Sequence, residues 1–366
     1  MSTRRRVLTA TIAVICTIGI VWRYHDLSEV PAYISRKTAY RPYNVSHTGD
    51  SHHLPQPADS HGWFEVETNL SSGVKQYTRS STSTVPSLLW LSLTFDSQSW
   101  GKHNFHHRNV DDFLRIIPQQ VQLEDVSLGL LTSSEQEYKA YIEATRAYDF
   151  AKISIILHKG FHDGPVVDRA HRQDRAVQVA RRSELAKLRN FLMLRTIADE
   201  EHILWMDADV YRLDQGIVQR MIKHTGERVD VGMITARCSQ GGNDNYDHNA
   251  WRGTRQGPRG WDLNEQEIKD GELAAQGQYH VPAIIKGSTN DDLVELDVVG
   301  ATILYIRATL VRQGLTFPAH FVVGTRWRKD GWDGIESEGL CYNARGMENS
   351  KCMVLGGSWH VEHTKG

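Results

Sequence analysis

The chain has 366 residues, with 42 basic against 44 acidic side chains and a formal net charge of −2. That balance excludes the broad positive field of a protein built to hold nucleic acid, and a 40% hydrophobic content excludes a chain disordered throughout. Its 4 cysteines are too few for a disulfide scaffold of this size.

Arg4, Arg5 and Arg6 precede an uncharged apolar run over residues 7–22, which Arg23, His25 and Asp26 close. A basic flank, an apolar centre and no small-residue cleavage site predict an uncleaved signal anchor; a cleaved signal peptide is the alternative. The run is shorter than the ~20 residues of a typical span, which suits the thinner bilayer of the early secretory pathway. Positive charge ahead of the span keeps residues 1–6 in the cytosol and places the rest in the lumen, a type II topology. Sequons at Asn44 and Asn69 agree with luminal exposure. Residues 23–85 are rich in Ser, Thr, His, Pro and Gly and read as a flexible stem. Residues 86–366 regain regular apolar segments and suffice for one large α/β domain. Cys16 lies in the anchor, leaving Cys238, Cys341 and Cys352 in an oxidising compartment, with Cys341 and Cys352 the nearest pair and other pairings open.

Strands and helices then alternate. Residues 87–94 read as a first buried strand, ending at Thr94 with Asp96 in the following loop. Residues 111–117 start a helix and residues 126–132 make a second strand. Ser133, Ser134 and Glu135 offer an N-cap to a helix over 136–147, and residues 151–157 form a third strand. Residues 181–198 are strongly helical, with Leu185, Leu188, Leu192 and Arg195 at spacings of three and four. This order predicts a mostly parallel, Rossmann-like sheet.

The next segment carries the chemistry. Ile203, Leu204, Trp205 and Met206 run straight into Asp207 and Asp209, as a buried strand does where it surfaces at its carboxyl end. In open α/β sheets ligands bind at that edge. Two acids so close raise each other's cost of ionisation, and a divalent cation such as Mn²⁺ or Mg²⁺ is the usual remedy. A cation held by few protein carboxylates completes its shell with substrate phosphates, so a metal-bridged nucleotide-sugar site follows. Phosphohydrolases that form an aspartyl phosphate also place Asp-x-Asp after a strand. They want Thr or Val where Tyr211 stands, and their motif opens the domain, so this reading ranks behind.

Three more constellations bear on that site. Residues 181–190 carry Arg182, Lys187 and Arg189; Arg182 and Arg189 are seven apart and share one helix face, able to approach a diphosphate or to order the acids. A solvated basic face is the competing reading. Residues 295–306 lead acids, Asp297 among them, into Gly300 and a β-rich run, after a Gly- and Pro-bearing stretch over 252–292 suited to an active-site flap. Glu336 and Glu338 open a short helix-like stretch and offer carboxylates on the acceptor side, or helix caps. In the closing strand, alternation places Val361 and His363 on one face and His360 and Glu362 on the other, so His363 could reach a metal.

The ordered set Arg-Arg-Ser-Glu-Leu-Ala-Lys-Leu-Arg-Asn (181–190), Trp-Met-Asp-Ala-Asp-Val (205–210), Tyr-Asp-His-Asn-Ala-Trp (246–251), Glu-Leu-Asp-Val-Val-Gly-Ala (295–301), Gly-Leu-Thr-Phe-Pro (314–318), Glu-Ser-Glu-Gly-Leu (336–340) and the final His-Val-Glu-His resembles the fungal Golgi mannan-polymerase mannosyltransferases, glycosyltransferase family 62. The resemblance implies a luminal GT-A domain behind a single N-terminal transmembrane helix. It further implies GDP-mannose as donor, Mn²⁺ (or Mg²⁺) as cofactor, and a retaining transfer of mannose to α-mannoside acceptors of N-glycan outer chains or mannan. Asp207, Asp209 and His363 would be metal ligands; Arg182, Lys187, Arg189, Thr94 and Asp96 would serve the donor; Asp297 and Glu338 would stand near the acceptor as catalytic candidates. Such proteins work in hetero-complexes with related mannosyltransferases, so a catalytically silent scaffold or regulatory subunit is the alternative. Met206 and Ala301 depart from the family's usual residues. The first strand lacks the customary basic residue near its end, unless His103 or Arg108 substitutes.

Overall fold

The computed structural model describes residues 62–71, 73–160, 175–253, 278–322 and 334–364. The chain divides into a unit Met1–His52 and a unit His53–Gly366, and all described residues belong to the second. The expected tail at 1–6 and anchor at 7–22 lie outside the described residues, among which no helix is long and apolar enough to cross a membrane.

The described elements in chain order are β1 (Trp63–Ser71), β2 (Val74–Ser81), β3 (Leu88–Thr94), β4 (Lys102–His103), β5 (His106–His107), α1 (Val110–Leu114), β6 (Val126–Thr132), α2 (Glu135–Thr145), β7 (Lys152–Leu157), α3 (Arg175–Thr196), β8 (His202–Met206) and β9 (Val210–Leu213). They continue with α4 (Ile217–Glu227), β10 (Val231–Thr235), β11 (Arg237–Gln240), β12 (Trp251–Gly253), β13 (Gln278–His280), α5 (Val281–Ile284), β14 (Leu293–Glu295), β15 (Ile303–Arg307), α6 (Ala308–Arg312), α7 (Leu340–Asn343), β16 (Lys351–Leu355) and β17 (His360–His363).

Ten strands make one sheet, in the order β1-β2-β7-β6-β3-β8-β15-β10-β16-β14. The block β7-β6-β3-β8 is parallel, as is the pair β10-β16. Antiparallel β15 sits between β8 and β10, and β1, β2 and β14 add antiparallel edges. A smaller sheet, β11-β17-β9, is built from the chain that follows β10, β16 and β8.

Alternation along the strands feeds two cores, one on each face of the large sheet. Leu204 and Met206 of β8 join Trp90, Leu128, Ile155, Phe113 and Tyr141 on one side. Ile203 and Trp205 join Leu89, Leu131, Ile156 and Leu192 of α3 on the other. Each large side chain so buried contributes about 1.5–3 kcal/mol. Because both faces are covered, the central strands read as unbroken apolar runs rather than alternating ones.

Part of the stretch expected to be a flexible stem, residues 23–85, is regular structure. Trp63–Ser71 and Val74–Ser81 form a hairpin, and β2 pairs with β7 along its length. Val74, Tyr77 and Arg79 turn inward, and the Arg79 guanidinium stacks on Trp63 at 4.2 Å. The exposed positions of this edge hairpin include Glu67, Thr68 and Asn69, and half-buried Thr78, Ser80 and Ser81 add polar residues, which is why the stretch resembles a linker in composition. Asn69 of the expected sequon is exposed on β1.

Cys341 and Cys352 are bonded and close an 11-residue separation, tying α7 to β16; Cys238 stays a free, buried thiol. Replacing both bonded cysteines by serine should lower stability by about 2–3 kcal/mol, read as a fall in Tm. The same fall should follow addition of reductant to the native chain. An unchanged Tm in both measurements would remove the disulfide from the account of stability.

Candidate metal and donor site

Strand β8 ends at Met206 and the chain turns at once, with Val210 N donating to Asp207 O at 3.2 Å. Asp207 N is fixed by Thr302 O at 3.0 Å, just ahead of β15. The turn throws Asp207 towards α3 and Asp209 towards β17. Asp209 Oδ1 lies 2.8 Å from His363 Nε2. Ligand atoms of Asp207, Asp209 and His363 lie within 4.8 Å of one another, so three donors from two distant parts of the chain converge on one point.

His363 arrives there because β17 is buried on alternate residues, Val361 and His363 inward, as its pattern predicts. Its Nδ1 faces Thr364 O at 2.8 Å and Gln240 Nε2 at 3.2 Å, and the Tyr246 ring lies 4.3 Å away. Donation from Nδ1 to the carbonyl would leave the Nε2 lone pair for a cation. Two carboxylates and an imidazole suit Mn²⁺ well, and three protein ligands leave coordination positions for phosphate oxygens. The donor set fits such a metal.

Arg189 stands behind the acids. Its Nη2 donates to Asp207 Oδ1 at 2.9 Å, while Nε pairs with Glu336 Oε1 at 2.8 Å. Two turns earlier Arg182 donates from Nη1 to Glu338 at 3.0 Å and from Nη2 to Ile335 O at 2.8 Å. Both arginines share the buried face of α3, at 6% and 5% exposure, so the solvated-face reading fails for them. The buried stripe of α3 runs through Arg182, Ala186, Arg189, Met193 and Thr196, whereas Arg195 is exposed and reaches Gln76. Lys187 points elsewhere, half-buried and 4.0 Å from Glu184.

Burial pushes the Asp207 carboxyl up to about 6, opposed by Arg189 and His363 and reinforced by Asp209 and Glu336. Burial also works against ionised Glu336, yet Arg189, Arg182 and the Ser337 hydrogen bonds hold it below the usual carboxylate range. For His363 burial favours the neutral ring, and Asp209 outweighs it, so the imidazole sits above its ordinary value. Glu336 adopts a left-handed backbone at φ 64°, a conformation costly for a non-glycine residue and retained here where its carboxylate meets Arg189.

Other expected residues fall in different places. The Thr94 hydroxyl turns into the core, 2.7 Å from Tyr141 Oη, and Asp96 caps a short turn by accepting from Gln98 N at 2.9 Å. Neither side chain is engaged with the acids and histidine. A strand end looks the same in sequence whichever face its last residue takes, and here register turned Thr94 inward. Asp297 accepts from Gly253 N at 2.8 Å and so anchors the start of the expected flap, whose residues 254–277 lie outside the described residues. Glu338 is buried against Arg182, so it braces an arginine as a partner within the core.

Sequence reasoning gave no role to Asp247. Its carboxylate accepts from Asn249 N and Thr302 N and packs against Gly300 so closely that any Cβ there would collide with it. The motif Tyr-Asp-His-Asn together with a glycine at 300 was the available signal. Arg108, noted only as a substitute basic residue, donates to Ala208 O between the two acids at 3.0 Å.

An α/β sheet with acids and a histidine gathered at the carboxyl end of a parallel strand marks a glycosyltransferase-like protein. The family model Anp1 matches residues 105–321, and the chain belongs to this family, a mannan-polymerase family as the ordered motifs implied. The mannan polymerase complex subunit mnn9 of Schizosaccharomyces pombe is 28% identical over 216 residues, 53% of this chain and 61% of that protein. The chain thus matches less than two thirds of that relative's length. Among solved structures, a mycobacterial protein aligns at 11% identity and TM-score 0.35, over 77% of this chain and 68% of its own. A CMP:2-keto-3-deoxy-manno-octonic acid synthetase with CTP aligns at 8% identity and TM-score 0.33, over 76% and 90%. At these scores neither likeness carries weight for fold or function.

The raised Asp207 carboxyl has a consequence for stability. Between the ordinary carboxyl value near 4 and about 6, the native chain holds more protons at this group than the unfolded chain. Its contribution therefore falls as pH rises through that window. Asp207→Asn removes the titration, so in metal-free buffer its Tm relative to wild type should be higher at pH 7.5 than at pH 4.5. A Tm difference that does not change with pH would refute the raised value.

Proposed function

We propose that the chain is a metal-dependent α-mannosyltransferase with a GT-A catalytic domain, taking mannose from GDP-mannose to α-mannoside acceptors of N-glycan outer chains or mannan with retention of configuration. The observation that carries this reading is the Asp207, Asp209 and His363 cluster at the end of β8. The family membership and the mannan polymerase relative support the sugar and the acceptor class. We further propose that the protein is a single-pass type II Golgi membrane protein, anchored by residues 7–22 behind a cytosolic tail at 1–6, and works in a hetero-complex with related mannosyltransferases.

In this reading Asp207, Asp209 and His363 would hold the cation, with Mn²⁺ preferred over Mg²⁺ because imidazole is one of the donors. The bound cation would offset the charge that develops on the departing diphosphate. Arg189 keeps Asp207 ionised and oriented through its 2.9 Å bond, and Glu336 keeps Arg189 in place from the other side. Arg182, on the same helix, is engaged with Glu338 and Ile335 O and so braces the segment that carries Glu336 rather than facing the phosphates. Asp297 holds the end of Trp251–Gly253 by accepting from Gly253 N.

One observation favours a second reading, a catalytically silent subunit that binds the nucleotide. Both carboxylates expected near the reacting sugar are already engaged, Asp297 with Gly253 and Glu338 with Arg182. The two readings separate on turnover, since binding a donor and transferring its sugar are different achievements.

The full-length chain should transfer mannose from GDP-mannose to a short α-mannoside in the presence of Mn²⁺, with product identified by mass and linkage. Asp209→Ala and His363→Ala should each lower the rate by on the order of 10²-fold or more. Undiminished transfer in Asp209→Ala would sink the site assignment. Retained GDP binding with no product from any sugar nucleotide would select the silent subunit.

A further inference from the structure

Arg108 follows the β4-β5 hairpin and is 4% exposed. Its Nη1 donates to Trp100 O and to Ala208 O, each at 3.0 Å. Ala208 is the residue between the two acids, so this single nitrogen ties their turn to the chain that precedes the hairpin. Arg108 N donates to Gly101 O at 3.1 Å, and Gly101 in turn packs on Thr364 and on Asp209 Cβ. Gly101 has φ 73° and no room for a side chain, which is why a glycine stands there. Thr364 N closes the ring by donating to Asp209 O at 2.9 Å. The hairpin adds His103, stacked on Tyr211 at 4.0 Å, and the Tyr211 hydroxyl bonds to Glu362 beside His363. The stretch from Trp100 to Arg108 therefore grips the turn of the acids and the strand of the histidine together.

Two backbone carbonyls could be satisfied by a neutral donor, yet the residue is an arginine whose burial is costly. Its Nη2 is buried without a hydrogen-bond partner among the described residues. Burial lowers its pKa, and Asp112 and Asp209 are the acids that favour its charge. A planar fork fixes direction, which an ammonium cannot do.

We propose that Arg108 is a positioning residue for the cation site: it sets the Asp207-Ala208-Asp209 turn against the His363 strand so that the three ligands meet. The inference rests on the metal reading given above. Residues that orient metal ligands without touching the ion typically change affinity by about 10- to 100-fold when lost.

Mn²⁺ binding to the full-length chain, followed by the EPR signal of free Mn²⁺, tests the proposal without any turnover. Wild type should bind and Asp209→Ala should not; a wild type that fails to bind would overturn the metal reading itself. Arg108→Met should bind about tenfold more weakly or worse. Ser127→Ala, which removes the buried hydroxyl partner of Glu200 away from the acids, should lose stability and keep wild-type affinity. Wild-type affinity in Arg108→Met, or an equal loss in Ser127→Ala, would overturn the role of Arg108 and leave the metal reading intact. If Arg108→Met does not fold, Arg108→Lys decides, because it keeps the charge and loses the fork. Severalfold weaker binding supports the proposal and unchanged binding overturns it.

Discussion

Everything at the carboxyl end of β8 depends on one buried guanidinium. Arg189 touches Asp207 with one nitrogen and Glu336 with another, between the rings of Trp205 and Phe317 at 4.9 and 5.5 Å. An apolar strand cannot simply run into a carboxylate, because desolvation works against the ionised acid even where, as at Asp207, the side chain keeps about a third of its surface in solvent. Arg189 offsets part of that cost for Asp207, whose carboxyl still sits up at about 6, and is itself neutralised by Glu336. Removing one partner of such a pair leaves an unmatched buried charge, at about 3–5 kcal/mol. Helix α3, strand β8 and the segment at Glu336 are thus held to one another by charge as much as by their apolar contacts.

Parts of this arrangement were legible in the chain. An apolar run that stops at Asp-x-Asp marks a buried strand at the point where it surfaces, and the seven-residue spacing of Arg182 and Arg189 put both on the side of α3 that became buried. Alternation in the last strand pointed His363 inward. Cys341 and Cys352 were the nearest candidate pair in the sequence, but only the structure selects that pairing over one with Cys238. What the chain concealed was tertiary. Glu338 meets Arg182 across 156 positions, and no local pattern distinguishes a carboxylate awaiting substrate from one already paired. The β1-β2 hairpin was hidden for a different reason: an edge element solvated on one face has the composition of a linker, and only pairing with β7 makes it structure.

The two sheets divide the labour. The large one supplies rigidity through its doubly covered strands, and the small β11-β17-β9 sheet brings His363 back to the acids by pairing with β9, four residues past Met206. Asp207 and Asp209 sit at the junction where the chain leaves one sheet for the other. Such a junction gives the acids firm backbone anchorage at the carboxyl end of a parallel strand, the edge at which ligands bind in open α/β sheets.

The disulfide acquires another meaning in this setting. Cys341 stands on the stretch that begins with Glu336, and Cys352 on the strand that leads into the His363 arm. One covalent bond thus joins the support of Asp207 to the support of His363, on opposite flanks of the acids. In a reducing compartment the same chain would keep its sheet but hold these flanks by noncovalent contacts alone. Oxidation of one thiol pair therefore fixes by covalent means a connection between two segments that flank Asp207, Asp209 and His363.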